Sequence, residues 1–311
     1  MARRPRWLKP EAAYCEVQRT VDRQFFFAPN PVIRNIIGAS VGRAQQKYPV
    51  KLYWVDFNIN HKQTGKAALS DDPAHVQNLV KFDQLCTSLI AREINRYLER
   101  EGAMFSSRNR SAEAVDDLSL EQQLFYAVTN PVKDGLVDRV AHWKGLSSYR
   151  QLATGEVERF TYVDRTAWHQ AGGQRSRKRP EAFSKTVGFE LSPLPSWAGL
   201  TADQRQARFR REVRQLEQRF RWEREQEGRR VAGPARLAKL DPRDRPKSPA
   251  KDQGPQPLCH ASSVEAAAEY RESHRSFLEQ YYYASHFWLR GYPEAPFPAG
   301  SFKPPLIVAA A

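Results

Sequence analysis

The stretch LEQQLFYAVTNPVKDGLV, Leu120 to Val137, decides how this chain is read. Leu120, Leu124, Phe125 and Val128 recur at three- and four-residue spacing, which predicts a helix with one apolar face. Tyr126 and Asn130 are four residues apart, so both project from the same side of that helix. Pro131 predicts a kink or a stop, and Gly135 a turn before Leu136 and Val137. A tyrosine one helical turn before an amide suits a nucleophile beside a metal ligand. It equally suits a buried tyrosine followed by a helix-ending Asn-Pro, and the stretch by itself leaves both open.

Working outward, YCEVQRT (Tyr14 to Thr20) alternates as a first strand, and Pro31 opens a helix with Val32, Ile36, Ile37 and Val41 on its apolar face, running to about Lys47. After Pro49 a second strand reaches Phe57 and bends near Asn58, and a third extended segment near Asn60 carries NHKQ. Asp72 and Pro73 read as the N-cap and first residue of a long helix with Leu79, Phe82, Leu85, Leu89, Ile90, Ile94 and Leu98 as its buried stripe. A basic connector, MFSSRNR, leads from it to the organising helix. Beyond that helix come a short helix in WKGLSSYRQLATGE, a strand in VERFTYVD, a basic loop in GGQRSRKRPEAFSK and a further strand in TVGFELSPLPSWAGL. Thr201 to Arg230 predicts a charged helix with the narrow stripe Phe209, Val213, Leu216 and Phe220. Asp241 to Pro257 reads as a linker, followed by a last helix and a proline-rich tail.

Composition narrows the function. The 311 residues carry 49 Lys and Arg against 35 Asp and Glu, a net charge of +14, which favours a polyanionic partner. Seven Trp, 12 Tyr and 16 Phe are more aromatics than a disordered basic chain would hold. Cys15, Cys86 and Cys259 are far apart, odd in number and without CxxC spacing, as expected of reduced thiols in a cytoplasmic protein. MARRPRWLKPEAAY has no apolar h-region and is not expected to be a secretory signal, and no window has the length of a membrane span.

If NHKQ is extended, His61 and Gln63 share a face, because strand side chains alternate. Imidazole ligates metals readily and an amide oxygen can ligate hard cations, although a lone His61 also reads as a plain surface or turn histidine. With these residues in view, the sequence resembles the single-tyrosine transposases of the insertion-sequence 200 type, in the branch of the REP-associated tyrosine transposases. The resemblance covers about Tyr14 to Tyr149. It rests on the order of elements, on FSSRNR (Phe105 to Arg110), and above all on YAVTNPVKDGLV followed by WKGLSSY. It implies an antiparallel α+β fold of the ferredoxin-like, HUH-nuclease kind. It also implies attack by the tyrosine hydroxyl on single-stranded or hairpin DNA, leaving a 5′-phosphotyrosine link and a free 3′-hydroxyl. Carried across by position, Tyr126 is the nucleophile, and His61, Gln63 and Asn130 are ligands of a magnesium or manganese ion. Arg108, Arg110 and Lys133 are contacts for the DNA backbone. An unperturbed tyrosine is a poor nucleophile at neutral pH, and a cation that neutralises phosphate charge makes attack feasible.

The chain departs from that pattern within six residues. Gln63 stands where the family has its second histidine, Lys62 where it has a hydrophobic residue, and TGKAAL is a poor strand because Gly65 weakens it and Lys66 adds charge. Two amides and one histidine make a weaker site than two histidines. Lys62 would point to the face where the family packs its helices, which puts register there in question. The alternative is therefore a catalytically inactive, degenerate or repurposed DNA-binding protein of the same fold. A further reading takes the Thr201–Arg230 helix of a basic α+β protein as a nucleic-acid surface. Its interspersed Asp203, Glu212, Glu217, Glu223, Glu225 and Glu227 equally mark a solvated face. The expected organisation is a transposase-like domain over 1–150, a basic strand and helix extension over 151–240, a linker over 241–257, and a C-terminal helix and tail over 258–311. Bacterial and cytoplasmic, monomer or homodimer, completes the expectation.

Overall fold

The structure is a computed structural model and describes residues 4–175, 177–247 and 257–305. Its strands are β1 (Ala13–Arg19), β2 (Lys51–Asn58), β3 (His61–Ala67), β4 (Arg110–Ala114), β5 (Phe160–Val163), β6 (Ser184–Val187) and β7 (Cys259–His260). Its α-helices are α1 (Pro31–Lys47), α2 (Pro73–Tyr97), α3 (Asp117–Lys133), α4 (Tyr149–Thr154), α5 (Arg165–Gln170), α6 (Ala202–Gln226), α7 (Pro234–Leu237) and α8 (Val264–Trp288). The main sheet runs β2-β3-β1-β4-β7 and is antiparallel except for the two-residue parallel pairing of β7 with β4; β5 and β6 form a separate hairpin. Helices pack on the sheet and the C-terminal region is helical: the fold is α+β.

The sheet divides two cores. On one face α1 and α2 bury Ile33, Ile37, Leu79, Phe82, Ile90 and Ile94 against Leu52, Val55 and Phe57 of β2. On the other, α3 buries Leu120, Leu124, Val128 and Val132 against Cys15, Trp54 and Ala67, and α6 adds Phe209, Val213 and Phe220 behind it. Residues after 150 enter both cores, Phe160 and Val187 the first, Leu194, Trp197 and Leu237 the second. The helix starts are set by capping: Asn30, Asp72, Asp116, Thr201 and Ser263 each accept backbone N–H groups of the first turn of α1, α2, α3, α6 and α8.

Several expectations are corrected here. TGKA is not a poor strand. β3 pairs without interruption from His61 to Ala67 with β1, and with β2 on its other side. Lys62 and Lys66, both buried, turn towards α2, where Lys66 Nζ donates to Glu16 (2.8 Å), to the Leu79 carbonyl (3.1 Å) and to Asp83, and Lys62 Nζ lies 3.9 Å from Asp83. Four charges on two strands and a helix thus neutralise one another inside the layer, so register is kept. Gly65 is required there, because a Cβ would stand 2.2 Å from the Trp54 ring. The connector after α2 ends in a strand, β4, that the sequence reading lacks: Ala112 and Ala114 turn inwards while Arg110 and Ser111 keep its start polar. α3 begins at Asp117 and passes through Pro131, stopping two residues later with Gly135 at φ +70°. The expected strand in TVGFELSPLPSWAGL is confined to its first two residues, the end of β6 (Ser184–Val187). Of the expected linker, residues 248–256 lie outside the described residues, as does the tail over 306–311. Residues 243 and 244 are tied to the body, with Phe25 N donating to the Asp244 carbonyl (2.8 Å) and Arg243 to the Leu98 carbonyl (2.5 Å).

Candidate active site

β1, β2 and β3 present one polar row to α3. Cross-strand pairs share a face, so Asn58–His61–Arg19 form one rung and Asp56–Gln63–Val17–Arg110 the next. Asn130 of α3 hangs over these rungs. Its amide nitrogen, as placed, is 2.9 Å from His61 Nε2, and Gln63 Nε2 is 3.2 Å from the same atom. Turned over, the Asn130 amide satisfies more partners. Its nitrogen then donates to the Asp134 carboxylate (3.3 and 3.2 Å) and its oxygen lies 2.8 Å from Gln63 Nε2 and 2.9 Å from His61 Nε2. The Asn58 amide holds Asp134 from the other side at 2.9 Å.

His61 is kept neutral. Burial pulls its pKa down to about 4, and the charge of Arg19 acts in the same direction. Its Nδ1 is 3.0 Å from Asn60 Oδ1, an acceptor, so the ring carries its proton there and turns the Nε2 lone pair to the amides. With the Asn130 oxygen inward, lone pair faces lone pair unless the ring changes tautomer or a cation lies between them.

Two of the inward atoms can ligate a cation, His61 Nε2 and the turned Asn130 oxygen, 2.9 Å apart, whereas Gln63 presents its amide nitrogen, a hydrogen-bond donor, at 2.8 Å from the Asn130 oxygen and 3.2 Å from His61 Nε2. Adjacent ligands of an octahedral magnesium ion, bonded at ~2.0–2.1 Å, are about 3 Å apart. His61 and Asn130 therefore fit two adjacent positions of such an ion, and Gln63 joins them as a third ligand if its amide turns its oxygen inward. Among the described residues no group of three or more His, Cys, Asp and Glu side chains gathers for a metal.

Tyr126, one turn before Asn130, is 44% exposed, which removes the buried-tyrosine reading. Lys133 Nζ lies 4.6 Å from the centre of its ring. Partial burial and then the Asp134 carboxylate raise the hydroxyl above its ordinary range, and Arg19 opposes them. Arg19 and Asp134 belong to this cluster and are absent from the sequence reading. Asp134 had a signal, one turn beyond Asn130, whereas Arg19 is placed only by the pairing of β1 with β3 that sets it beside His61. Arg110 and Lys133 are exposed, the first on the α3 side of the sheet and the second at the end of α3. Arg108 points elsewhere, its guanidinium donating to the Arg4 carbonyl at 2.9 Å.

The stretch that follows α3 serves the frame. WKGLSSY runs along the free edge of β2: Trp143 Nε1 donates to the Phe57 carbonyl (3.1 Å), Phe57 N to the Leu146 carbonyl (3.0 Å), and Val55 N to Ser148 Oγ (2.7 Å). Ser147 Oγ and Ser148 N donate to Asp56 Oδ1 at 2.5 and 3.2 Å. The arginines of α6 are also partly inward: Arg208 pairs with Glu121 (2.7 Å) and the buried Arg224 donates to the Val132 carbonyl (2.8 Å).

Fold and site together define an α+β protein whose antiparallel sheet carries an imidazole–amide cluster beneath an exposed tyrosine. No protein-family model matches the sequence, and no curated protein matches it. A solved structure similar to this chain is that of a REP-associated tyrosine transposase bound to a REP hairpin: 14% identity, 50% of this chain and 87% of that chain covered, TM-score 0.38. A likeness of that size carries no argument about chemistry, which rests on the side chains above. No helix among the described residues is long and apolar enough to cross a membrane.

Proposed function

We propose that this chain is a transposase-like protein acting on single-stranded or hairpin DNA by metal-assisted transesterification at Tyr126. The observation that carries the reading is the exposed Tyr126 one helical turn from Asn130, whose amide meets His61 and Gln63 at 2.9 and 2.8 Å. In the step, Tyr126 Oη forms a bond to phosphorus and the bond from phosphorus to the 3′ oxygen breaks. The 5′-phosphate stays on the tyrosine, and the proton lost from the hydroxyl is matched by the proton gained at the 3′ oxygen. His61 and Asn130, with Gln63 once its amide oxygen turns inward, would hold magnesium or manganese, which when bound neutralises phosphate charge. Arg19 favours the phenolate against burial and Asp134. Arg110 and Lys133 supply positive charge for the backbone, while Arg108, turned to the Arg4 carbonyl, does not face Tyr126.

A second reading has its own support: a DNA-binding protein of the same fold that has lost turnover. Gln63 already donates to His61 Nε2 and Asn130 finds amide or carboxylate partners in either orientation, and the Tyr126 proton is held more tightly than usual rather than less. A denaturing gel of the full chain with labelled hairpin DNA and magnesium or manganese separates the two. Cleavage predicts a covalent band that needs metal and is lost in Tyr126→Phe. No band from wild type, but one from Gln63→His, supports the binder whose site decayed at that ligand.

A further inference from the structure

Four guanidinium groups gather around one cavity of about 280 Å³ in the helical layer opposite α3: Arg43 of α1, Arg92 and Arg96 of α2, and Arg165 of α5. Glu93 and Thr166 also line it. The positions follow from the fold. Arg92 and Arg96 are four residues apart on α2 and share its face. Arg43 is held with its guanidinium 4.2 Å from the centre of the Tyr162 ring, and Arg165 is brought in by the helix that follows β5.

The charges do not balance. Glu93 Oε2 takes Arg96 at 2.5 Å and stands 3.7 Å from Arg165 Nε, too far for a hydrogen bond; that Nε is buried without an acceptor. Among the described residues neither Arg43 nor Arg92 has a carboxylate within ion-pair distance. The nearby Asp164 is engaged by Lys185 at 2.7 Å and by the Ala167 N–H. Four cations and one anion around a cavity repel one another, and a multiply charged anion between them would relieve that repulsion. Guanidinium forks match phosphate oxygens two at a time, and the Thr166 hydroxyl offers a further donor.

We propose that this cavity binds a phosphate group. The ligand is either inorganic phosphate or the terminal phosphate of a DNA strand, which share the tetrahedral dianion that three net positive charges favour. The site is separate from Tyr126 and does not depend on the proposed chemistry there.

The test is calorimetric titration of the full chain, first with inorganic phosphate, then with a short DNA strand with and without a 5′-phosphate. One equivalent of phosphate is expected to bind. The paired substitution Arg92→Gln, Arg165→Gln should weaken it about tenfold or more, and Tyr126→Phe should leave it unchanged. If the pair unfolds the chain, Arg92→Gln alone carries the test, since Arg92 is exposed on α2. Preference for the phosphorylated strand assigns the ligand to a DNA end. Orthophosphate binding with no such preference assigns it to free phosphate. The proposal is overturned if phosphate shows no saturable binding, or if the substitutions leave its affinity unchanged.

Discussion

Lys62 and Gln63 are consecutive in β3 and serve opposite faces of the sheet: Lys62 Nζ lies 3.9 Å from Asp83 in the α2 layer, and Gln63 Nε2 lies 3.2 Å from His61 Nε2 beneath α3. The two-residue alternation of a strand makes this possible, and a slip of one residue would exchange the faces. The lysine therefore fixes the register that holds Gln63 beside His61. The ion cluster under the sheet and the donor cluster above it are parts of one arrangement.

The buried cluster gives the first prediction. Lys66→Met should destabilise the chain by about 3–5 kcal/mol, because Glu16 and Asp83 are left with Lys62 as the remaining cation. Denaturant unfolding of variant and wild type measures the difference.

Gly65→Ala should cost about 1–3 kcal/mol by overpacking, since the added methyl meets the Trp54 ring. Adding Trp54→Leu should recover part of the loss. A double-mutant cycle in denaturant gives the coupling, and simple additivity would speak against the contact.

Asp56 makes stability depend on pH. Burial raises its pKa to about 7, against the hydrogen bonds from Ser147 and Ser148. Between its ordinary value near 4 and pH 7 the folded chain holds a proton that the unfolded chain has released. Its contribution therefore falls as pH rises through that window and levels off above it. Asp56→Asn should gain on wild type over the same window, by an amount on the order of a few kcal/mol at most. Thermal midpoints of both proteins from pH 4.5 to 8 test this, and parallel curves would refute it.

Arg224 ties α6 to the end of the tyrosine helix. Arg224→Met removes its bond to the Val132 carbonyl and should cost about 1–3 kcal/mol. Amide exchange at Asp134 and Gly135, whose N–H groups donate to the Asn130 and Val132 carbonyls, should quicken with it.

Much of this architecture is legible in the sequence where periodicity is long. Leu79, Phe82, Leu89, Ile90 and Ile94 are buried along α2 as their spacing predicts, and Phe209, Val213 and Phe220 along α6. Legibility fails where a short element draws its stability from distant partners. RSAEA has no β-branched residue and becomes β4 because β1 pairs with it. HKQTGKA contradicts strand propensity and is held by Glu16, Asp83 and Trp54, residues up to about fifty positions away in the chain. In the candidate site, the shared face of His61 and Gln63 and that of Tyr126 and Asn130 follow from local spacing. Their meeting needs the sheet, and Arg19 enters only through its pairing with His61.

The most direct measurement is mass spectrometry of the covalent product. The full chain is incubated with single-stranded hairpin DNA and magnesium or manganese, digested with protease and nuclease, and searched for a nucleotide-bearing peptide. A phosphotyrosine link is expected on the peptide containing Tyr126, formed only with metal. A metal-dependent link on another tyrosine, or none on DNA that the protein binds, would contradict it.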